Sequence, residues 1–164
     1  MNQAQANILN SKLAMLDRFK EAEWQTVDPY APPMNSRPFI VTPAPFPGYP
    51  APGAVATEII RYVVPVGQVA VINYLAVVHV GGGFVDGSGN VIWRILRNSA
   101  ALKGMNNLQS QVGTYAAPIP VAVMGVEGDI FTVTVEVPAA QPPMPPGSST
   151  AARIHGFIMP VVTR

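Results

Sequence analysis

The side chains able to do chemistry are few, and their spacing limits what they could do. His79 and His155 are the two histidines of the chain. Each lies in an apolar, β-branched run with no Asp, Glu or His at ligand spacing, so each reads as a sheet-face or interface histidine rather than a metal ligand. Cysteine is absent, which removes disulfides, thiolate zinc sites and a thiol nucleophile. No serine stands in a Gly-x-Ser-x-Gly elbow. The stretch Gly81-Gly-Gly-Phe-Val-Asp-Gly-Ser-Gly89 is rich enough in glycine to suggest a phosphate cradle. That chemistry needs backbone amides converging at a helix start, with a Lys and a hydroxyl to follow. The strand-like Asn90-Val-Ile-Trp-Arg94 follows instead, so a flexible hairpin loop turning at Asp86-Gly87 is expected.

Paired carboxylates are the remaining route to hydrolysis. Glu127 and Asp129 flank Gly128 just ahead of a strand, where a solvated turn is expected. Glu58 and Glu136 fall on different predicted strands, and nothing in the sequence pairs them. Arg94, Arg97 and Lys103 form the one basic cluster of the body. An offset of three on a strand puts Arg94 and Arg97 on opposite faces, which favours salt bridges or a subunit contact over a phosphate patch. The residues therefore point away from an enzyme: no catalytic set, cofactor, metal or small-molecule substrate is expected.

Composition narrows the classes further. Of the 164 residues, 10 are Lys or Arg, 9 are Asp or Glu, and 12% are charged in all, too few for a phosphate-binding surface. With 49% hydrophobic residues the chain can form a core. No apolar run reaches the roughly 18 residues of a membrane span, and the start lacks the features of a secretory signal, so a soluble protein without membrane contact is expected.

The elements divide into three segments. Residues 1–28 predict an amphipathic helix. Ile8, Leu9, Leu13, Met15, Leu16 and Phe19 form its apolar stripe, with Asn7, Asn10, Asp17, Arg18 and Glu21 opposite. Lys12 interrupts the stripe, which favours a helix lying on a surface, its lysine stem snorkelling outward. Docking on another subunit and packing on its own domain are both open to it. Residues 29–55 are an extended proline-rich arm: nine of the 18 prolines fall between Pro29 and Pro52. In polyproline geometry 24 residues reach on the order of 70 Å, far enough to meet a neighbour. Phe39, Phe46 and Tyr49 are its candidate apolar anchors. Four more prolines mark a late loop, Gln141-Pro-Pro-Met-Pro-Pro-Gly147.

Residues 56–164 carry the β signal. Phe131-Thr-Val-Thr-Val-Glu-Val137 alternates strictly, as a half-buried antiparallel strand does. Strands are expected at about 56–65, 69–80, 90–98, 100–105, 111–115, 119–124, 129–137 and 152–162, with no helical period among them. The fold class is thus all-β, an antiparallel β-sandwich with a jelly-roll topology as the best match to eight short strands. The run Gln68–Val80 is apolar on nearly both sides, which fits a central strand or an intersubunit sheet.

Three stretches carry a resemblance: Val64-Pro-Val-Gly-Gln68 leading into an apolar strand, Val126-Glu-Gly-Asp-Ile130 opening the Thr/Val strand, and the closing Ile154-His-Gly-Phe-Ile-Met-Pro160. In these the body resembles the small β-sandwich virion proteins of tailed bacteriophages, the capsid cement or decoration proteins and their neck and tail relatives. The resemblance implies a structural virion protein made in the host bacterial cytoplasm and bound to the capsid surface. There it would stabilise the shell as a homo-oligomer, with major capsid protein and copies of itself as partners. The leader residues Ile8, Leu9, Leu13, Leu16 and Phe19, with Phe39, Phe46 and Tyr49 of the arm, would then clamp neighbouring subunits. A neck, collar, head–tail adaptor or fibre-docking component is the alternative within that class. A carbohydrate-binding sandwich is a second, weakened by having Trp24 and Trp93 as its only tryptophans.

Overall fold

A computed structural model describes residues 30–42, 48–105, 107–108 and 117–161. The helix expected over 1–28, with its stripe, lies outside the described residues, as do Phe46 and the strand expected at 111–115. The described chain is all-β, with eight strands and no helix. They are β1 (Arg37–Val41), β2 (Thr57–Val63), β3 (Gln68–Val80), β4 (Ile92–Arg97), β5 (Ala100–Ala101), β6 (Ile119–Val126), β7 (Ile130–Glu136) and β8 (Ser149–Pro160). Two antiparallel four-stranded sheets result, in the orders β1-β8-β3-β6 and β2-β7-β4-β5.

Alternation sets which side chains meet between the sheets. On β7, Phe131, Val133, Val135 and Val137 point inward and are buried, as their spacing predicts. They face Ala70, Ile72, Leu75 and Val77 of β3 and Ala152 and Ile154 of β8, with Trp93 and Ile95 of β4 beside them. Between Ile72 and Tyr74 the register of β3 shifts against both neighbours: Asn73 is an extra residue opposite β8, whereas opposite β6 the extra residue lies on β6. This bulge keeps Ile72 and Leu75 on the same inner face although they are three residues apart. Burying Trp93 alone contributes about 2–3 kcal/mol.

Connections sort by length onto the two ends. Three tight turns share one end. The β2–β3 corner is fixed by Gly67, whose φ of 71° suits glycine. Its N–H donates to the Glu127 carboxylate at 2.8 Å, and its carbonyl accepts from Val161 N–H at 2.9 Å. Arg97 and Ala100 are paired across Asn98 and Ser99, both with positive φ (52° and 67°), a type I′ hairpin turn. The β6–β7 turn runs through Gly128, whose N–H donates to Val64 O at 3.0 Å. The longer β3–β4 and β7–β8 connections lie at the other end.

Several expectations need correction. The boundary between an arm at 29–55 and a body at 56–164 runs through the sandwich, because Arg37–Val41 is an edge strand paired with β8. Proline is tolerated there because an edge strand has a side without ladder partners. Phe39 and Val41 point inward, and the Phe39 ring stacks on Tyr62 of the opposite sheet, with centroids 4.5 Å apart and planes 7° apart. The strand expected at 100–105 shrinks to Ala100–Ala101, since Gly104 at φ 81° turns the chain. Residues 81–89 do not form a hairpin loop: β3 and β4 belong to different sheets, so this segment crosses between them. The late proline run is irregular, as expected.

Phe39 can lie flat because its cross-strand partner is Gly156. A Cβ there would collide with the Val71 carbonyl oxygen and come within 2.8 Å of the Phe39 ring. Backbone cannot yield as a flexible side chain can. Gly156→Ala is therefore expected to cost about 2–3 kcal/mol. The thermal midpoint should fall by roughly 5–10 °C; an unchanged midpoint would contradict this packing.

Candidate functional site

The long-connection end holds the largest group of polar and aromatic side chains with defined partners. Tyr49, His79, Phe84 and Trp93 form a ladder of rings, with successive centroids 5.5, 5.4 and 5.4 Å apart. Four different parts of the chain supply them. Tyr49 comes from the proline-rich segment, next to Gly48, which bridges to Ser149 at the start of β8. His79 ends β3, Phe84 belongs to the glycine-rich crossing, and Trp93 lies in β4.

Hydrogen bonds fix the polar atoms of this ladder. The Tyr49 hydroxyl is 2.6 Å from His79 Nδ1, and His79 Nε2 is 3.1 Å from Gly81 O. A carbonyl only accepts, so Nε2 carries the proton, and Nδ1 accepts from the Tyr49 hydroxyl. Both ring nitrogens are thereby engaged. Trp93 Nε1–H donates to Thr150 Oγ1 at 3.1 Å, and the Thr150 hydroxyl donates to Val78 O at 3.0 Å. Burial pushes the Tyr49 phenol up to about 12 from its ordinary 10.0, a rise that the neighbouring Thr150 hydroxyl partly offsets. The crossing above is tied down by Asn90: its amide donates to Gly83 O at 2.6 Å, and its carbonyl accepts from Val85 N–H at 3.3 Å. Ser148 Oγ–H donates to Gly82 O at 2.8 Å, joining this crossing to the late loop.

Other charged side chains have defined partners within the fold. Arg94 and Glu136, on neighbouring strands, form a two-pronged ion pair at 2.5 and 2.6 Å on the outer face of their sheet. Hydrogen bonding from Arg94 holds the Glu136 carboxyl below its ordinary range, and the same bonds raise Arg94. Arg97 instead donates to Met124 O at 3.0 Å, so the two arginines part company as their spacing predicts. Glu58 is within 3.4 Å of Arg61 on its own strand. Asp129 departs from the solvated turn expected for it, being buried with both oxygens bonded. One accepts from Asn98 Nδ2 at 2.6 Å and the other from Val126 N–H at 2.9 Å. Asn98 Oδ1 in turn accepts from Ile130 N–H at 2.9 Å, locking the β4–β5 turn to the β6–β7 turn. Nothing local to Asp129 signals a partner 31 residues away. Among the described residues no three His, Cys, Asp or Glu side chains gather where they could hold a metal ion.

Of the candidate anchors, the structure thus places Phe39 against the core and Tyr49 in the ring ladder, both on their own sandwich. They are brought to different places and do not form one patch. Sequence reasoning missed Thr150, His79 as the partner of Tyr49, and the Asn98–Asp129 pair. The strand-terminal position of His79, beside a glycine run and within reach of any folded-back arm, was the signal available for it. No protein-family model matches the chain, and no curated protein is similar enough to count as a relative.

Two pH dependences follow. The folded Tyr49 pKa lies above the unfolded one, so the stability linked to it is complete below pH 10 and lost as pH rises toward about 12. Tyr49→Phe should cost about 1 kcal/mol at neutral pH through the lost hydrogen bond. It should also flatten the alkaline fall of stability in denaturant titrations between those pH values; an unaltered slope would contradict the assignment. For Glu136 the sign is opposite. Its folded pKa is depressed, so its contribution is present above the ordinary carboxylate range and disappears as pH falls through the folded value. Glu136→Gln should lower stability by about 0.5–1 kcal/mol at pH 7, with the gap from the parent chain closing in acid.

Proposed function

We propose that this chain is a structural component of a tailed-phage virion, a cement or decoration protein built on a jelly roll. The strand order carries the reading. In a jelly roll, one long antiparallel ribbon pairs first strand with last and works inward, then rolls up so that its pairs alternate between two sheets. The observed pairs β1–β8, β2–β7, β3–β6 and β4–β5 are that series, divided alternately between the sheets. The sorting of tight turns to one end and long connections to the other agrees with it. Fold alone hosts many functions, including lectins and small-molecule enzymes. The three stretches that resemble phage virion sandwiches are what choose among them.

The arm supports a shell-bridging role. One side of it is committed to its own domain through Phe39, Val41 and Tyr49, whereas Met34 and Ile40 stand exposed on the other. An exposed edge strand with outward apolar side chains is a surface that a neighbouring subunit can cover. In this reading the arm steadies the sandwich while Met34 and Ile40 meet major capsid protein or a neighbouring copy on the capsid surface. The polar rings of the long-connection end hold the arm in place and have no catalytic part.

Particles purified from cells that encode the chain provide the test. Quantitative mass spectrometry should find it in the particles at hundreds of copies. A ring-forming neck or collar component would instead appear about a dozen times, and absence from particles would overturn the virion reading. Replacing both Met34 and Ile40 by Asp should leave the melting temperature of the free chain nearly unchanged and reduce its copy number on particles severalfold.

A further inference from the structure

The two sheets differ on their outer faces. Outside the β2-β7-β4-β5 sheet lie Glu58, Thr132, Thr134, Arg94 and Glu136, a polar face in which the two threonines are themselves buried. Outside the β1-β8-β3-β6 sheet the cross-strand rows are apolar. Phe157 pairs with Val71 and Val71 with Met124, while Val69 pairs with Met159 and with Val126. Ala76 and Ala151 continue this face along β3 and β8. None of these belongs to the cluster between the sheets.

These outward side chains are nonetheless buried. Val71 and Ala76 are 0% exposed, Val69 and Ala151 1%, and Phe157 2%. The outward Thr132 and Thr134 of the other sheet keep 7% and 8% exposure, so the cover here is more complete. No described strand packs across this face. Two polar atoms at its bulge, Asn73 Oδ1 and His155 Nε2, are also buried and have no hydrogen-bond partner. Burial, then the nearby Arg153 charge, holds the His155 imidazole toward its neutral form.

The described chain begins on this face. Tyr30 packs its ring on Tyr74 of β3, with centroids 5.7 Å apart, and its hydroxyl reaches Val121 O at 3.5 Å. The residues before it are the leader with its apolar stripe from Ile8 to Phe19. Twelve residues of helix run about 18 Å, close to the width of four strands.

We propose that the outer face of the β1-β8-β3-β6 sheet is the seat of this chain's own leader, residues 1–28, with Leu9, Leu13, Leu16 and Phe19 turned onto Val71, Ala76 and Phe157. The tether at Tyr30 keeps the leader at high local concentration over the face, which favours its own sheet over a neighbour's. Lys12, within the stripe, extends its stem to the rim and keeps its ammonium in water. The leader then completes the domain as a third layer, and contact with neighbouring subunits falls to the arm.

Because the chain contains no cysteine, engineered cysteine pairs report the contact without background. Full-length chain carrying Leu13→Cys or Leu16→Cys together with Ala76→Cys should oxidise to a monomer of altered gel mobility, independent of protein concentration and reversed by reductant. The same leader substitutions paired with Glu58→Cys, on the outer face of the other sheet, should cross-link at least tenfold less. A dimer as the main product, or equal cross-linking to Glu58→Cys, would overturn the proposal. Should Ala76→Cys prevent folding, a photo-cross-linking phenylalanine analogue at Leu13 leaves the sheet intact. Intramolecular adducts to β3 or β8 peptides support the seat, and adducts between chains or none on those strands refute it. The readout is made on the purified chain, so it stands or falls separately from the virion reading.

Discussion

The ladder between β3 and β8 is the constraint on which the rest depends. It joins Gln68–Val80 to Ser149–Pro160, the two longest strands, and both faces of it are apolar. The inner face supplies Ile72, Leu75, Val77, Ala152 and Ile154 to the core between the sheets. Thr150, on the same ladder, receives the Trp93 indole and so links the second sheet to the first. Gly156 leaves the space into which Phe39 brings the edge strand. On the outward face Val71 and Phe157 are buried as well. Such a ladder closes a loop of some seventy residues, an entropic cost that only extensive apolar burial can offset.

Polar groups serve this arrangement by fixing the ends of strands. Asp129 and Asn98 bind two turns to each other, Glu127 caps the corner at Gly67, and Tyr49 with His79 pins the proline-rich segment at the opposite end. Asp129 is the buried one among them, where an unpaired group would cost more than the bond returns. Among the described residues, the apolar side chains left exposed near this framework include Met34 and Ile40, on the arm and its edge strand.

Much of the fold was legible in the sequence, and the reasons are local. The alternation Phe131–Val137 identified β7 and its buried face, and β3 was read correctly as apolar on both sides. Strand β1 was overlooked because Pro38 marked the segment as an arm. Phe39-Ile40-Val41 held the contrary signal, and an edge position made the proline acceptable. Asp129 was taken for a solvated turn residue because its partner Asn98 is distant in the chain. Strand pairing is a long-range property, so the crossing at 81–89 was read as a hairpin although it joins different sheets. For the candidate site, Phe39 and Tyr49 were identified as anchors from their type alone, while the surfaces they meet were not accessible to any local pattern.

A cryo-electron microscopy reconstruction of the particle most directly tests whether this is a shell component. The account predicts two-sheet density on the capsid exterior, with the Arg37–Val41 edge and Met34 against an adjoining subunit. A shell without that density, with the chain recovered free in the soluble fraction, would contradict it.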